Sequence, residues 1–170
     1  TKVVRNLLYI SRIENAQYLK NESADLQMIV REIFEELEEL TQGKGITVIN
    51  EWKDEFVFTP CNLSLIHTLL FNLITNAIKY NCESGKITVT GLWEGDFYTV
   101  SVTDTGDGIS PGQLPFIFDL FKRFRPEDDM SYGLGLPIVK TIADFHGIKV
   151  IAQSTLNEGS TFTLKFPKSG

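Results

Sequence analysis

The chain has 170 residues, 42% hydrophobic and 22% charged, enough to close one core without disulfides or a structural metal, since folding at this size buries roughly 70% of the unfolded surface. Lys and Arg number 16 against 22 Asp and Glu, a net charge of −6, which repels a phosphate backbone and argues against nucleic acid as a partner. No apolar run reaches the roughly 20 residues of a membrane span, and the first residues lack the pattern of a secretion signal. With Cys61 and Cys82 the only thiols, the expectation is a reduced, cytoplasmic protein in which both cysteines are packing residues.

In chain order, Val3, Val4, Leu7, Leu8, Ile10 and Ile13 recur at helical spacing over residues 1–20 with no N-cap ahead of them, so the chain opens inside a longer helix. It starts at Thr1 rather than methionine, and reads as a piece of a longer protein whose parent can still be anchored in a membrane. Asp25 is placed to cap a second helix that turns Leu26, Ile29, Val30, Ile33, Phe34, Leu37 and Leu40 inward and Glu35, Glu36, Glu38 and Glu39 outward, until Gly43 and Gly45 end it. Strands are expected at 46–49 and 56–58, then a helix over 63–80, then a strand pair at 86–92 and 97–103 around the turn Glu94-Gly95-Asp96. Residues 104–132 are irregular, with one short apolar segment at 114–121. A helix over 136–146 has Pro137 in its first turn and Gly147 at its exit. Strands at 148–154 and 161–166 come last, the second alternating Thr161, Thr163 and Lys165 against Phe162, Leu164 and Phe166. Mixed order, rather than regular strand-helix-strand alternation, predicts an α/β (α+β) two-layer sandwich: a mostly antiparallel sheet with helices packed on one face.

Three stretches carry chemistry. On the helix over 63–80, Asn72, Asn76, Lys79 and Tyr80 share a face opposite the stripe Leu69, Leu70, Leu73, Ile74, Ala77 and Ile78. Two asparagines one turn apart are unfavourable helix residues; they are either a solvated polar face or a pair of hard, neutral amide oxygens suited to Mg²⁺. After the strand at 97–103 comes Asp104-Thr105-Gly106-Asp107-Gly108-Ile109, which is either a plain turn or a pocket where a carboxylate accepts from an exocyclic amine while glycines close over a flat ring. Gly133-Leu134-Gly135-Leu136-Pro137 leads into a helix, a physical arrangement for holding phosphate. The sequence has neither a Walker motif nor a complete dinucleotide fingerprint. Lys122, Arg123 and Arg125, just before this loop, either neutralise phosphate charge or are solvated.

The order of these pieces, together with Phe118-Asp119-Leu120-Phe121 and Gly159-Ser160-Thr161-Phe162, resembles the asparagine, glycine and phenylalanine boxes of the ATP-binding domain of sensor histidine kinases, the Bergerat-fold group shared with gyrase and Hsp90. Leu7 to Glu14 resembles the end of the second dimerisation helix of such kinases, so residues 1–20 are expected to end a dimerisation domain and 21–170 to form the catalytic domain.

The resemblance implies ATP and Mg²⁺ as cofactors, Asn76 as metal ligand, Asn72 and Lys79 on the phosphates and Tyr80 at the ribose or base edge. It implies Asp104 on the adenine amine, with Gly106, Gly108 and Ile109 shaping the pocket. Gly133, Leu134, Gly135 and Leu136 would flank the phosphates, and Thr161 would support the adenine side through Asp104. Leu120 stands where the family usually carries arginine, and Arg123 matches its second basic position; with Asn76 and Lys79 it completes the expected catalytic set. Implied too are transfer of the γ-phosphate to a histidine on a dimerisation helix, relay to a response regulator, a homodimeric parent, and no binding of nucleic acid or membrane by this piece. The competing reading is a degenerate, nucleotide-gated interaction module without kinase activity. Neither His67 nor His146 has an adjacent acid, and His146 is expected to sit partly charged at its helix C-terminus.

Overall fold

The computed structural model describes residues 2–120 and 135–168. Five helices, α1 (Lys2–Glu14), α2 (Leu26–Glu36), α3 (Glu38–Gly43), α4 (Leu63–Lys79) and α5 (Gly135–His146), combine with seven strands, β1 (Glu22–Asp25), β2 (Thr47–Trp52), β3 (Val57–Cys61), β4 (Lys86–Glu94), β5 (Phe97–Asp104), β6 (Lys149–Thr155) and β7 (Gly159–Pro167). The main sheet has the order β2-β4-β5-β7-β6. It is antiparallel except where β2 pairs in parallel with β4. Helices cover one face, as the composition of the elements predicts.

Local chemistry explains where the helices start and stop. The Asp25 carboxylate accepts from Met28 N–H at 3.1 Å and caps α2, and Asn62 caps α4 in the same way through Leu65 N–H at 3.1 Å. Every expected stripe residue of α4 is buried: Leu69, Leu70, Leu73, Ile74, Ala77 and Ile78. They pack between α2, α5 and the inner face of β5. On β7 the expected alternation holds, with Phe162, Leu164 and Phe166 in the core and Thr163 bonded to Ser101 at 3.1 Å on the other face.

Several expectations are corrected. The first helix ends at Glu14 rather than near residue 20, and its Ile10 and Ile13 are buried in the core of the domain beyond it. The second helix breaks at Leu37. The break rotates the next turn of the chain, so Thr41 is buried and donates to Glu38 O at 2.9 Å, while Leu40 is 57% exposed rather than inward. A two-stranded antiparallel sheet, β1 with β3, was not expected. Cys61 packs in the core as expected, whereas Cys82 is exposed, and both are free thiols. Among the described residues no helix is long and apolar enough to cross a membrane.

Candidate functional site

The candidate site is laid out along α4. Asn72, Thr75, Asn76, Ile78 and Lys79 line one side of a cleft of about 630 Å³ whose other walls come from Lys2 and Asn6 of α1, Glu39, Leu40, Gly43 and Lys44, and Gly135 and Ile138 of α5. Asn72 Nδ2 donates back to Thr68 O at 2.7 Å, which holds the amide and turns its oxygen towards the first turn of α5. A Cβ on Gly135 would stand 3.4 Å from that oxygen. The start of α5 and the asparagine face of α4 are therefore adjacent.

The other end of α4 meets the loop after β5. Tyr80 O accepts from Asp107 N–H at 3.1 Å, and Gly106 lies so close to that carbonyl that a Cβ would overlap it. The Lys79 ammonium sits 4.9 Å from the centre of the Tyr80 ring. Lys44 Nζ donates to Ile78 O, Lys79 O and Asn81 O at 3.1, 2.8 and 3.3 Å, satisfying the open carbonyls of α4 with a cation at the negative end of its dipole. From Asn72 to Tyr80 the chain rises about 12 Å along α4.

Asp104 ends β5 with 7% of its surface exposed. Its carboxylate accepts from Gly106 N–H at 2.9 Å and from the Ser160 backbone N–H. Burial holds its pKa above the ordinary carboxylate value, the two N–H donors offsetting part of that rise and the nearby Asp107 adding to it. The walls around it are main chain. Gly108, at φ +68°, presses on Thr155 O, and Gly159, at φ +125°, presses on Asp104 O, so a side chain at either would overlap a carbonyl. Ile109 N–H donates to Ser154 Oγ at 2.7 Å.

Of the residues singled out in the sequence, the structure gathers Asn72, Asn76, Lys79 and Gly135 in the cleft, and Asp104, Gly106, Gly108 and Ile109 in a loop at the Tyr80 end of the same helix. Leu136 packs against the core. Arg123, Gly133 and Leu134, with Phe121, Lys122 and Arg125, lie outside the described residues. Thr161 is not brought to Asp104: it pairs across the sheet with Thr103, their hydroxyls 3.0 Å apart, on the face away from the helices. Its neighbour Ser160, 8% exposed, is the residue opposite Asp104. Strand alternation back from Phe162 already puts Ser160 on the inner face, a signal the motif match overlooked. Lys44 carried no sequence signal.

His146 is corrected as well. It is buried, with Nε2 accepting from Asn62 N–H at 3.1 Å and Nδ1 bonded to Ile142 O at 2.9 Å. Burial lowers its pKa, partly opposed by the Ile142 bond and reinforced by the Lys20 charge, and with Nε2 accepting from Asn62 N–H the ring is neutral and structural rather than charged. His67 stacks on Phe71 with ring centres 6.0 Å apart.

The cleft is lined by the Asn72 and Asn76 side-chain amides and by Glu39, oxygen-bearing groups of the kind that bind a hard divalent cation. Among the described residues no group of three His, Cys, Asp or Glu side chains is placed to hold a metal, and a cation that takes few protein ligands and keeps phosphate oxygens and water is the kind these residues suit.

Comparison with known proteins gives a consistent picture. Residues 61–170 match the model of the histidine kinase-, DNA gyrase B-, and HSP90-like ATPase family. The chain is 31% identical over 169 residues to the heme sensor protein HssS of Staphylococcus saprophyticus, covering 99% of this chain and 36% of that one. The catalytic domain of histidine kinase ThkA, in a nucleotide-free form, superposes with a TM-score of 0.75 at 29% identity, covering 89% of this chain and 99% of that one. ThkA in complex with response regulator protein TrrA superposes with a TM-score of 0.71 at 27% identity, over 98% of this chain and 48% of that one. The chain thus spans about a third of the length of HssS.

Proposed function

Starting from a chain that belongs to the family of histidine kinase-, DNA gyrase B-, and HSP90-like ATPases, we propose that it is the ATP-binding catalytic domain of a two-component sensor histidine kinase. The observation that carries this reading is the layout along α4. A phosphate-type helix start faces Asn72 at one end, a buried acceptor in a glycine-walled loop faces the other, and no Asp or Glu occurs on the helix between. Without an acid there to activate water, the layout suits transfer of a phosphoryl group to another acceptor better than hydrolysis.

In this reading Asp104 takes the amine of adenine, Tyr80 flanks the base or ribose, and Asn72, Lys79 and the first turn of α5 hold the phosphates. Asn76 would hold Mg²⁺, which supplies charge neutralisation on the phosphates when bound. The residues of this chain orient the triphosphate and exclude water from it. The γ-phosphoryl group then leaves the β-phosphate oxygen for a histidine nitrogen on a dimerisation helix of the parent homodimer, ADP departs, and a response-regulator aspartate later accepts the group. His146, with both ring nitrogens engaged, is unsuited to be that histidine. α1, continuous with the catalytic core through Ile10 and Ile13, is read as the end of the dimerisation helix, and the cytoplasm as the compartment that supplies ATP.

The test is Asn76→Ala in the 170-residue chain, titrated calorimetrically with a non-hydrolysable ATP analogue and Mg²⁺. Asn76 lies off the buried stripe, so Mg-dependent binding is expected to be abolished while the melting temperature without nucleotide stays within a few degrees. Retained binding with a large loss of stability would return the asparagine face to a structural role.

A further inference from the structure

The hydroxyl of Ser154 on β6 uses its whole bonding capacity at one junction. It accepts from Ile109 N–H at 2.7 Å, donates to Gly159 O at 2.9 Å and lies 2.8 Å from Ser160 Oγ. A serine hydroxyl has a single proton. That proton is spent on Gly159 O, so in the bond between the two serines Ser160 is the donor. Ser160 in turn stands opposite Asp104 across β5 and β7 and opposite Ser154 across β6 and β7. With its proton turned away towards Ser154, Ser160 presents only oxygen lone pairs on the side of Asp104. Asp104 and Ser160, opposite each other at this end of the strands, then present two acceptors side by side.

We propose that Ser154 is a positioning residue for base selectivity: by fixing the Ser160 hydroxyl as an acceptor, it makes the pocket favour a purine bearing a 6-amino group over one bearing a 6-oxo group. The inference rests on the adenine reading of Asp104 and extends it to a residue two strands away. A 6-amino purine offers donors to both acceptors. A 6-oxo purine sets oxygen against oxygen, and only a Ser160 hydroxyl free to turn could relieve that clash. Removing the Ser154 hydroxyl frees it.

The experiment compares the affinities of the 170-residue chain for ATP and inosine triphosphate, each with Mg²⁺, in the wild type, Ser154→Ala and Ser154→Thr. Ser154→Ala is expected to narrow the ATP preference by roughly five- to tenfold, chiefly by improving inosine triphosphate. Ser154→Thr, which keeps the hydroxyl, should retain the wild-type ratio to about twofold. A purely structural role would weaken both nucleotides together and leave the ratio unchanged, and that result overturns the proposal. Should Ser154→Ala fail to fold, Ser160→Ala reads the same arrangement from its other end, and an unchanged ratio there overturns it equally. A wild type that binds both nucleotides alike would instead refute the adenine reading itself, and this proposal with it.

Discussion

The contact between Gly106 and the end of α4 invites a direct perturbation. A Cβ at residue 106 would overlap Tyr80 O and stand 2.9 Å from both Tyr80 C and Asp104 Oδ1. None of these is the loose end of a flexible side chain: the carbonyl is the last link of α4 to Asp107, and the carboxylate is tied to the Gly106 N–H itself. Overpacking of this kind costs about 1–3 kcal/mol, against which the lower entropy of the unfolded alanine chain returns about 0.4–1 kcal/mol. The net loss for Gly106→Ala is then about 1–2 kcal/mol, or roughly 2–8 °C in melting temperature for a domain of this size. Gly112 is the matched control, since it is exposed, has nothing within 4 Å of the position a Cβ would take and has no left-handed φ. Gly112→Ala should leave stability unchanged or raise it by up to about 1 kcal/mol. Scanning calorimetry of the two variants, and then titration with an ATP analogue, reads both the stability and the pocket. Because the strain falls between Tyr80 and Asp104, Gly106→Ala should also lose most of its nucleotide affinity at temperatures where it is fully folded. A Gly106→Ala chain that melts with the wild type and binds normally would refute the packing of this loop on α4.

Two buried titratable groups make stability depend on pH in opposite senses. The native state holds the proton of Asp104 more firmly than the unfolded chain, so this stabilisation is complete below the unfolded value near 3.8 and is lost as pH rises through the higher folded value. Asp104→Asn should therefore melt no lower than the wild type at pH 7, with the gap closing towards pH 4, while its affinity for adenine nucleotide falls by roughly 5- to 150-fold; parallel losses of stability and binding at every pH would contradict this. For His146 the sign is opposite. Its folded pKa lies below the unfolded 6.5, so its contribution is present above pH 6.5 and fades as pH falls towards the folded value. A melting-temperature profile from pH 7.5 to 5 should show this decline in the wild type and a flatter line in His146→Gln; equal slopes would mean that the ring is not the neutral bridge between Asn62 and Ile142.

Where a residue's neighbours in sequence decide its place, the chain was readable: the Asp25 cap, the buried stripe of α4 and the alternation of β7 all came from spacing alone. Where tertiary contact decides, it was not. Glu22–Asp25 is four mostly polar residues that form a strand because β3 lies beside them, and nothing local announces the break at Leu37 that turns Leu40 out and Thr41 in. The difference between Thr161 and Ser160 is a single residue, yet a shift of one along a strand moves a side chain to the opposite face. A motif match without the strand register therefore picked a hydroxyl on the face away from Asp104. Lys44 belongs to no pattern, and its value became visible only when α3 was seen to end beside the last carbonyls of α4.

The loop after Asp104 closes on peptide groups of Tyr80, Thr155 and Asp104 itself, each met by a glycine at a distance that leaves no room for a Cβ. A cavity bounded by side chains can be reshaped by exchanging them one at a time, each change small and separately reversible. A loop held against peptide planes offers no such graded route, because its outline changes only when a strand register or a helix end changes with it. Drift in this chain should accordingly be free on the outer face of the sheet and on the exposed acidic face of α2. Altered base preference would have to enter through the few hydroxyl and carboxyl groups that decorate an otherwise fixed outline.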